Sequence, residues 1–175
     1  MSTLQVQTLQ GPTSGANSNT VLIPDNHKLY AKGHVVQVQT YHLADAGGSI
    51  DTTSAAFVDS GCKVTITPEF SNSLIVCDFI VPMSVISASS TGSLLTRLLL
   101  NNVAYGNNYT TGYMRTSDAI FTSYQPTVFK TVHSNLAAGT PVEFNLQFLS
   151  GVSGQIVGLV HAESSMTMTV TEIAQ

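Results

Sequence analysis

The apolar and polar positions of this chain alternate in short runs separated by turn residues. PVEFNLQFLS carries the cleanest alternation, Val142, Phe144, Leu146 and Phe148 against Glu143, Asn145 and Gln147, which sets one apolar face on a strand. MTMTVTEI turns Met166, Met168 and Val170 inward and Thr167, Thr169 and Thr171 outward. GHVVQVQTYHL reads as a half-buried strand, and CKVTITP alternates Val64 and Ile66 against Lys63, Thr65 and Thr67 until Pro68 ends it. AAFVD, DAIFTSY, TVFKTVHS and IVGLVHAE supply further short strands. SLIVCDFIVP is apolar on both faces apart from Asp78, which predicts a strand covered on both sides, the second cover being a neighbouring subunit or a loop. In TGSLLTRLLLNN, Leu94, Leu95, Leu98 and Leu99 also fit a helical stripe, but the run is short and Asn101–Asn102 reads as a turn after a strand. Eight or nine strands at this spacing predict an all-β chain: two antiparallel sheets packed face to face, jelly-roll-like in their wiring.

Composition strengthens that reading. Val, Ile and Thr number 48 of 175 residues, whereas Lys and Glu number four each, so β-branched residues abound and long charged helices are excluded. Ser, Thr, Asn and Gln, 60 residues together, replace charge as the solubilising surface. Residues 1–32 differ from the rest. The alternating TLQVQTL, with Leu4, Val6 and Leu9, leads into a turn-forming GPTSGANSNT and then a second extended run holding Val21, Leu22 and Ile23. Runs this short form no core alone, so an N-terminal arm over 1–32 is expected to serve attachment or trimerisation, with the sandwich over 33–175.

The six cationic residues are dispersed and the formal net charge is −4, which leaves no basic patch for a nucleic acid. No apolar run approaches the length of a membrane span, and the first residues lack a secretion signal, so a chain made in a cytoplasm is expected. Cys62 and Cys77, the two cysteines, match no zinc spacing and read as buried thiols.

GHVVQVQTYHLADAGGSIDTTSAAFVDSGCKVTITPEFSNSLIVC resembles a virion module of tailed bacteriophages, especially those of cyanobacteria and other marine bacteria. The module opens on a G-x-VVQV strand and passes through a threonine-rich turn to FVD, a VTITP strand and an S-x-S-x-I strand. RLLLNN at 97–102 is similar to its R-L-hydrophobic-x-N-G element, with Asn102 in place of Gly, and TVTEIAQ at 169–175 is similar to its closing strand. MSTLQVQTLQG also looks like the opening of phage fibre and head-decoration proteins. The resemblance implies a homotrimeric structural protein on the surface of the phage particle, made in the bacterial host cytoplasm. Two roles follow: a capsid decoration or cement protein bound to the major capsid protein, or a tail-fibre or receptor-binding tip contacting tail proteins and a host surface glycan. The 32 residues ahead of the sandwich hold no tail adaptor and shaft, which makes decoration the first expectation.

The candidate chemistry points away from catalysis. His34 and His42 lie too far apart along one strand to share a metal, and His161 and Glu163, two residues apart on one face, could chelate an ion only across a symmetry axis. Asp45, Asp51 and Asp59 flank glycine, serine and threonine as turn residues do, rather than forming the close carboxylate pair of a glycosidase. No nucleophile elbow is present. No enzyme activity, cofactor or metal is therefore expected. The sharpest candidate site is AYGNNYTTGYM, read as a surface-contact loop in which Tyr105, Tyr109 and Tyr113 supply rigid contact area and Asn107 and Asn108 supply hydrogen bonds.

Overall fold

In a computed structural model, the described residues are 14–15, 31–43, 50–87, 91–115, 121–159 and 165–175. For 83, 86, 87, 91, 106–115 and 121–129 the description covers the backbone. The chain divides into Met1–Ala31 and Lys32–Gln175. Within the second unit the described strands are β1 (Val35–Leu43), β2 (Ile50–Thr52), β3 (Val58–Ile66), β4 (Leu74–Ser87) and β5 (Thr91–Leu100). They continue with β6 (Val103–Arg115), β7 (Phe121–His133), β8 (Val142–Ser150), β9 (Ile156–Leu159) and β10 (Met166–Ile173).

These strands form a β-sandwich of two sheets. Sheet A is six-stranded, in the order β1-β10-β4-β9-β2 with β7 on the other side of β4; sheet B is four-stranded, in the order β3-β8-β5-β6. Every pairing is antiparallel. The alternations decide which faces meet. Val142, Phe144, Leu146 and Phe148 of β8, with Leu94 and Leu98 of β5, close against Ile75, Cys77, Phe79 and Val81 of β4 and Met166, Met168 and Val170 of β10. All of these are at most 4% exposed, as expected where two apolar faces exclude water between them.

Several expected boundaries are corrected. The end of AAFVD, from Val58, and CKVTI join in one strand, β3, while residues 55–57 lie outside any strand; its register against β8 shifts between Asp59 and Lys63. Gly61, at φ 74°, sits within this bulge, a left-handed position that suits a residue without Cβ. SLIVCDFIVP does not stop at Pro82, since β4 runs on to Ser87, and the described part of DAIFTSY, from Phe121, joins TVFKTVH in one strand, β7, through Pro126. The two prolines pair with each other, Pro82↔Pro126. On the far side of β4, pairing with β10 ends at Ile80 and pairing with β9 begins at Met83, so Pro82 falls in a gap where no ladder bond is demanded of it. The TGSLLTRLLLNN run is strand β5 and turns at Asn101–Asn102 as expected. Both asparagines are left-handed, at φ 48° and 65°, the geometry of a two-residue type I′ hairpin.

The largest correction is AYGNNYTTGYM. It is not a loop but most of β6, paired along β5 from Val103↔Leu100 to Arg115↔Thr91 with two register shifts. Gly and Asn made the segment read as turn-forming, but a type I′ turn launched it directly beside a leucine-rich strand, and cross-strand pairing overrode local preference.

Candidate interaction surface

The two outer faces of the sandwich differ in chemistry. On sheet B the outward side chains form a polar network. Asp59 takes an ion pair from Lys63 at 2.8 Å, the Gly61 backbone N–H at 2.8 Å and Asn145 Nδ2 at 3.3 Å. Partial burial pushes the Asp59 carboxyl up, but these partners outweigh it and hold its pKa below the ordinary aspartate range. Arg97 donates from Nε to Gln147 at 2.8 Å and lies 4.1 Å over the Phe57 ring. The apolar members of this face, Leu95, Leu99 and Leu149, are buried or half-buried.

Sheet A presents a different surface. Strand pairing aligns its outward residues in rows: Val38, Thr171, Val76 and Val132; then Thr40, Thr169, Asp78 and Lys130; then His42, Thr167 and Ile80. Val38 is 51% exposed, Ile80 49% and Val132 48%, so three large aliphatic side chains stand about half in water on one flat face. Between them lie threonines, and Asp78 and Lys130 pair with each other at 3.4 Å, which leaves the face close to neutral. His42 bonds across to Thr167 Oγ1 at 3.0 Å. A β-sheet face meant for water carries Lys, Glu and other charges at such positions; a valine and threonine face suits contact with another surface.

A second exposed apolar feature lies where sheet B ends. Among the described residues β6 pairs with β5 alone and β7 with β4 alone, so their free edges flank a seam between the sheets. Val103 is 69% exposed and Tyr105 41%. The Tyr105 ring lies 4.1 Å from the buried imidazole of His133 at a tilt of 47°, and His133 meets Phe144 edge-on at 5.1 Å. Burial pushes the His133 pKa below the ordinary histidine value, and Thr131 Oγ1 lies 3.1 Å from its Nε2. Of the expected contact residues, Tyr105 is therefore an edge-strand residue half covered by a histidine. Asn107, Asn108, Tyr109 and Tyr113 have backbone places on β6, and their side chains lie outside the description. Leu4, Val6, Leu9, Val21, Leu22 and Ile23 of the arm, and His161, Glu163 and Asp45, lie outside the described residues.

The sequence reading passed over Glu172. It is fully buried and accepts hydrogen bonds from Ser73 Oγ at 2.6 Å, Gln37 Nε2 at 2.7 Å, the Glu69 backbone N–H at 2.9 and 3.0 Å and the Phe70 N–H at 3.1 Å. Burial alone pushes its pKa up, but the ring of donors from Ser73, Gln37, Glu69 and Phe70 wins and holds the carboxylate below the ordinary glutamate range. Because the donors come from β1 and the β3–β4 turn, the carboxylate clasps three parts of the chain together. Its signal was in the sequence: Glu172 continues the inward phase of Met166, Met168 and Val170.

Among the described residues no group of three or more His, Cys, Asp or Glu side chains is placed to hold a metal ion. Cys62 and Cys77 are free thiols in the core, their pKa values pushed up to about 12 chiefly by burial. A shallow, open hollow lined by Asp51, Thr52, Thr53 and Ile156 lies beside β2.

No protein-family model matches this chain, and no curated protein matches it. Solved structures overlap it distantly. Dimeric latent PorU from Porphyromonas gingivalis overlaps 94% of this chain at 12% identity and a TM-score of 0.44. Eiger TNF from S. frugiperda overlaps 79% at 11% identity and 0.38. The infectious bursal disease virus Gx strain structure overlaps 91% at 14% identity and 0.35. The overlap spans 14% of the PorU chain, 92% of the Eiger chain and 42% of the bursal disease virus chain. At such identities and TM-scores these likenesses carry no argument about function.

Proposed function

We propose that this protein is a non-enzymatic structural component of a tailed-phage virion, a homotrimeric decoration or cement protein held on the capsid surface. The observation that carries the reading is the outer face of sheet A, where Val38, Ile80 and Val132 stand half exposed among threonines around a single Asp78–Lys130 pair. Such a face gains by being covered, and SLIVCDFIVP supplies its central strand. Two further features support it. The ordered run of motifs from GHVVQV to TVTEIA resembles the phage module, and the long strands divide four and four, β1-β10-β4-β7 and β3-β8-β5-β6, an arrangement that suits a jelly roll.

Decoration is favoured over a glycan-binding tail tip because the segment that would have formed the adaptable binding loop is a paired strand, with Tyr105 laid on His133. In this reading the arm over 1–32 fastens the trimer to the major capsid protein. Deleting residues 1–32 is expected to leave a folded sandwich that no longer joins particles, while light scattering of the full chain gives a trimer mass at micromolar concentration. Counting copies per particle by quantitative mass spectrometry separates the roles, since hundreds of copies fit a capsid and a handful fit a tail. A monomeric full chain, or a truncated chain that still occupies particles as before, would overturn the reading.

A further inference from the structure

We infer that Lys63 on β3 and Asn145 on β8 join through an intramolecular isopeptide bond, the Lys63 amine displacing ammonia from the Asn145 side-chain amide with Asp59 as proton relay. The inference concerns one sandwich alone and does not depend on the virion reading.

The irregularity in β3 brings the three side chains together. In an unbroken strand, residues four apart stand about 13 Å from each other, yet Lys63 Nζ lies 2.8 Å from Asp59 Oδ2. Asp59 pairs with Gln147 and Lys63 with Asn145, so four steps along β3 answer to two along β8 and the bulge at Gly61 takes up the surplus. Two side-chain bonds hold that bulge: the Gly61 N–H donates to Asp59 Oδ1 at 2.8 Å, and Ser60 Oγ donates to the Leu146 carbonyl. Lys63 and Asn145 are direct cross-strand partners, with Cβ atoms about 5 Å apart, a span that a folded lysine stem bridges. The same Asp59 Oδ2 that pairs with Nζ also accepts from Asn145 Nδ2 at 3.3 Å. One carboxylate oxygen thus touches both the nucleophile and the leaving nitrogen of an amide exchange.

Asn145 supplies an independent observation. It is 2% exposed, beside Leu99 at 5%, and its Oδ1 has no hydrogen-bond partner among the described residues. A buried amide oxygen left without a donor is rare and calls for a reason beyond the sheet's own hydrogen bonding. In the reaction the neutral Lys63 Nζ forms a bond to Asn145 Cγ while the carbonyl electron pair moves to Oδ1. Asp59 takes a proton from Nζ and hands it to Nδ2; the electron pair returns, the Cγ–Nδ2 bond breaks and ammonia leaves. A lysine ammonium and a primary amide become a secondary amide and an ammonium ion, Asp59 ends as the carboxylate it was, and nothing is oxidised or reduced. Asp59, with a smaller push from Glu143 on β8, holds the Lys63 pKa above the ordinary lysine value, so the resting pair is ionised. Arg97 on β5, the other charged group on this face among the described residues, is engaged by Gln147 and Phe57. Only the neutral amine attacks, and alkaline conditions therefore favour the bond. β3 is an edge strand of sheet B, and the new amide ties that edge covalently to its neighbour.

The test is intact-mass spectrometry of the full-length chain, as purified and after several days at pH 9, followed by tryptic digestion. The wild type is expected to become lighter by one ammonia and to yield a branched peptide joining Lys63 to Asn145. Lys63→Arg keeps the positive charge beside Asp59 but removes the amine nucleophile, and it should retain its full mass under the same treatment. Asp59→Asn still offers an acceptor to the Gly61 N–H but cannot relay a proton, and its branched peptide should form at least tenfold more slowly. Circular dichroism confirms that both variants keep their sheet signal. A wild type that retains its full mass and gives no branched peptide would overturn the inference, as would an ammonia loss that persists in Lys63→Arg. Equal rates in the wild type and Asp59→Asn would overturn the role given to Asp59.

Discussion

Replacing Glu172 by Gln tests whether a buried carboxylate, rather than packing alone, ties the last strand into the sandwich. Glu172 is 0% exposed, and its Oε1 accepts from Ser73 Oγ and the Glu69 and Phe70 N–H groups while Oε2 accepts from Gln37 Nε2 and, again, Glu69 N–H. A glutamine that preserves the Oε1 bonds turns its NH2 toward the NH2 of Gln37. Flipping Gln37 to relieve that contact breaks its 2.7 Å donation to the Thr67 carbonyl. Hydrogen bonds to a charged group contribute about 1.5–3 kcal/mol each, and the substitution weakens several and breaks one, so a loss of about 3 kcal/mol is expected at pH 7. For a chain of this length that is a fall in Tm of about 6–12 °C, measured at one fixed protein concentration. The pH dependence is the stricter test. Because the folded pKa is depressed, the clasp's contribution is present above the ordinary glutamate pKa and is lost as pH falls through the folded value, where the wild type also becomes neutral. The gap between wild type and Glu172→Gln should therefore narrow on acidification. Equal stability at pH 7, or a gap that persists in acid, would show that the carboxylate charge does nothing there.

The remaining expectations concern other parts of the same sandwich. Asn101→Ala should cost about 1–2 kcal/mol in a urea titration, since Asn101 Oδ1 accepts the Glu143 N–H at 2.8 Å and its backbone is left-handed. Asn102→Gly should be neutral or stabilise by a few tenths of a kcal/mol, because glycine suits that turn position, at φ 65°, better than any residue with a Cβ. His133 has a folded pKa below its ordinary value, so it draws stability down as pH falls below about 6.5, the unfolded chain then binding the extra proton; His133→Phe should flatten the stability profile across that range. Cys62 and Cys77, pushed up to about 12, should resist a thiol-reactive dye in the native protein at pH 8 and react at once in denaturant.

What the sequence disclosed and what it hid follow from how far each signal travels along the chain. Alternation is local, and where one face is buried and the other wet, as in β8 and β10, it fixed the inward residues and with them the core. Elsewhere local signals misled because a distant strand decided the outcome. The expected strands broke off at Pro82 and on either side of Pro126, but both prolines are accommodated in long strands by the gap between β10 and β9 and by the free edge of β7, neither of which is written near a proline. The Gly, Asn and Thr of AYGNNYTTGYM read as a loop for the same reason: its strand form depends on β5 lying beside it. The both-sided apolar character of SLIVCDFIVP was legible, and one of its sides does close the core. The other leaves Ile80 about half exposed within a single chain. That residue, read together with Val38 on β1 and Val132 on β7, turns a peculiarity of one strand into a surface, because three strands far apart in sequence have placed their outward aliphatic side chains on the same face.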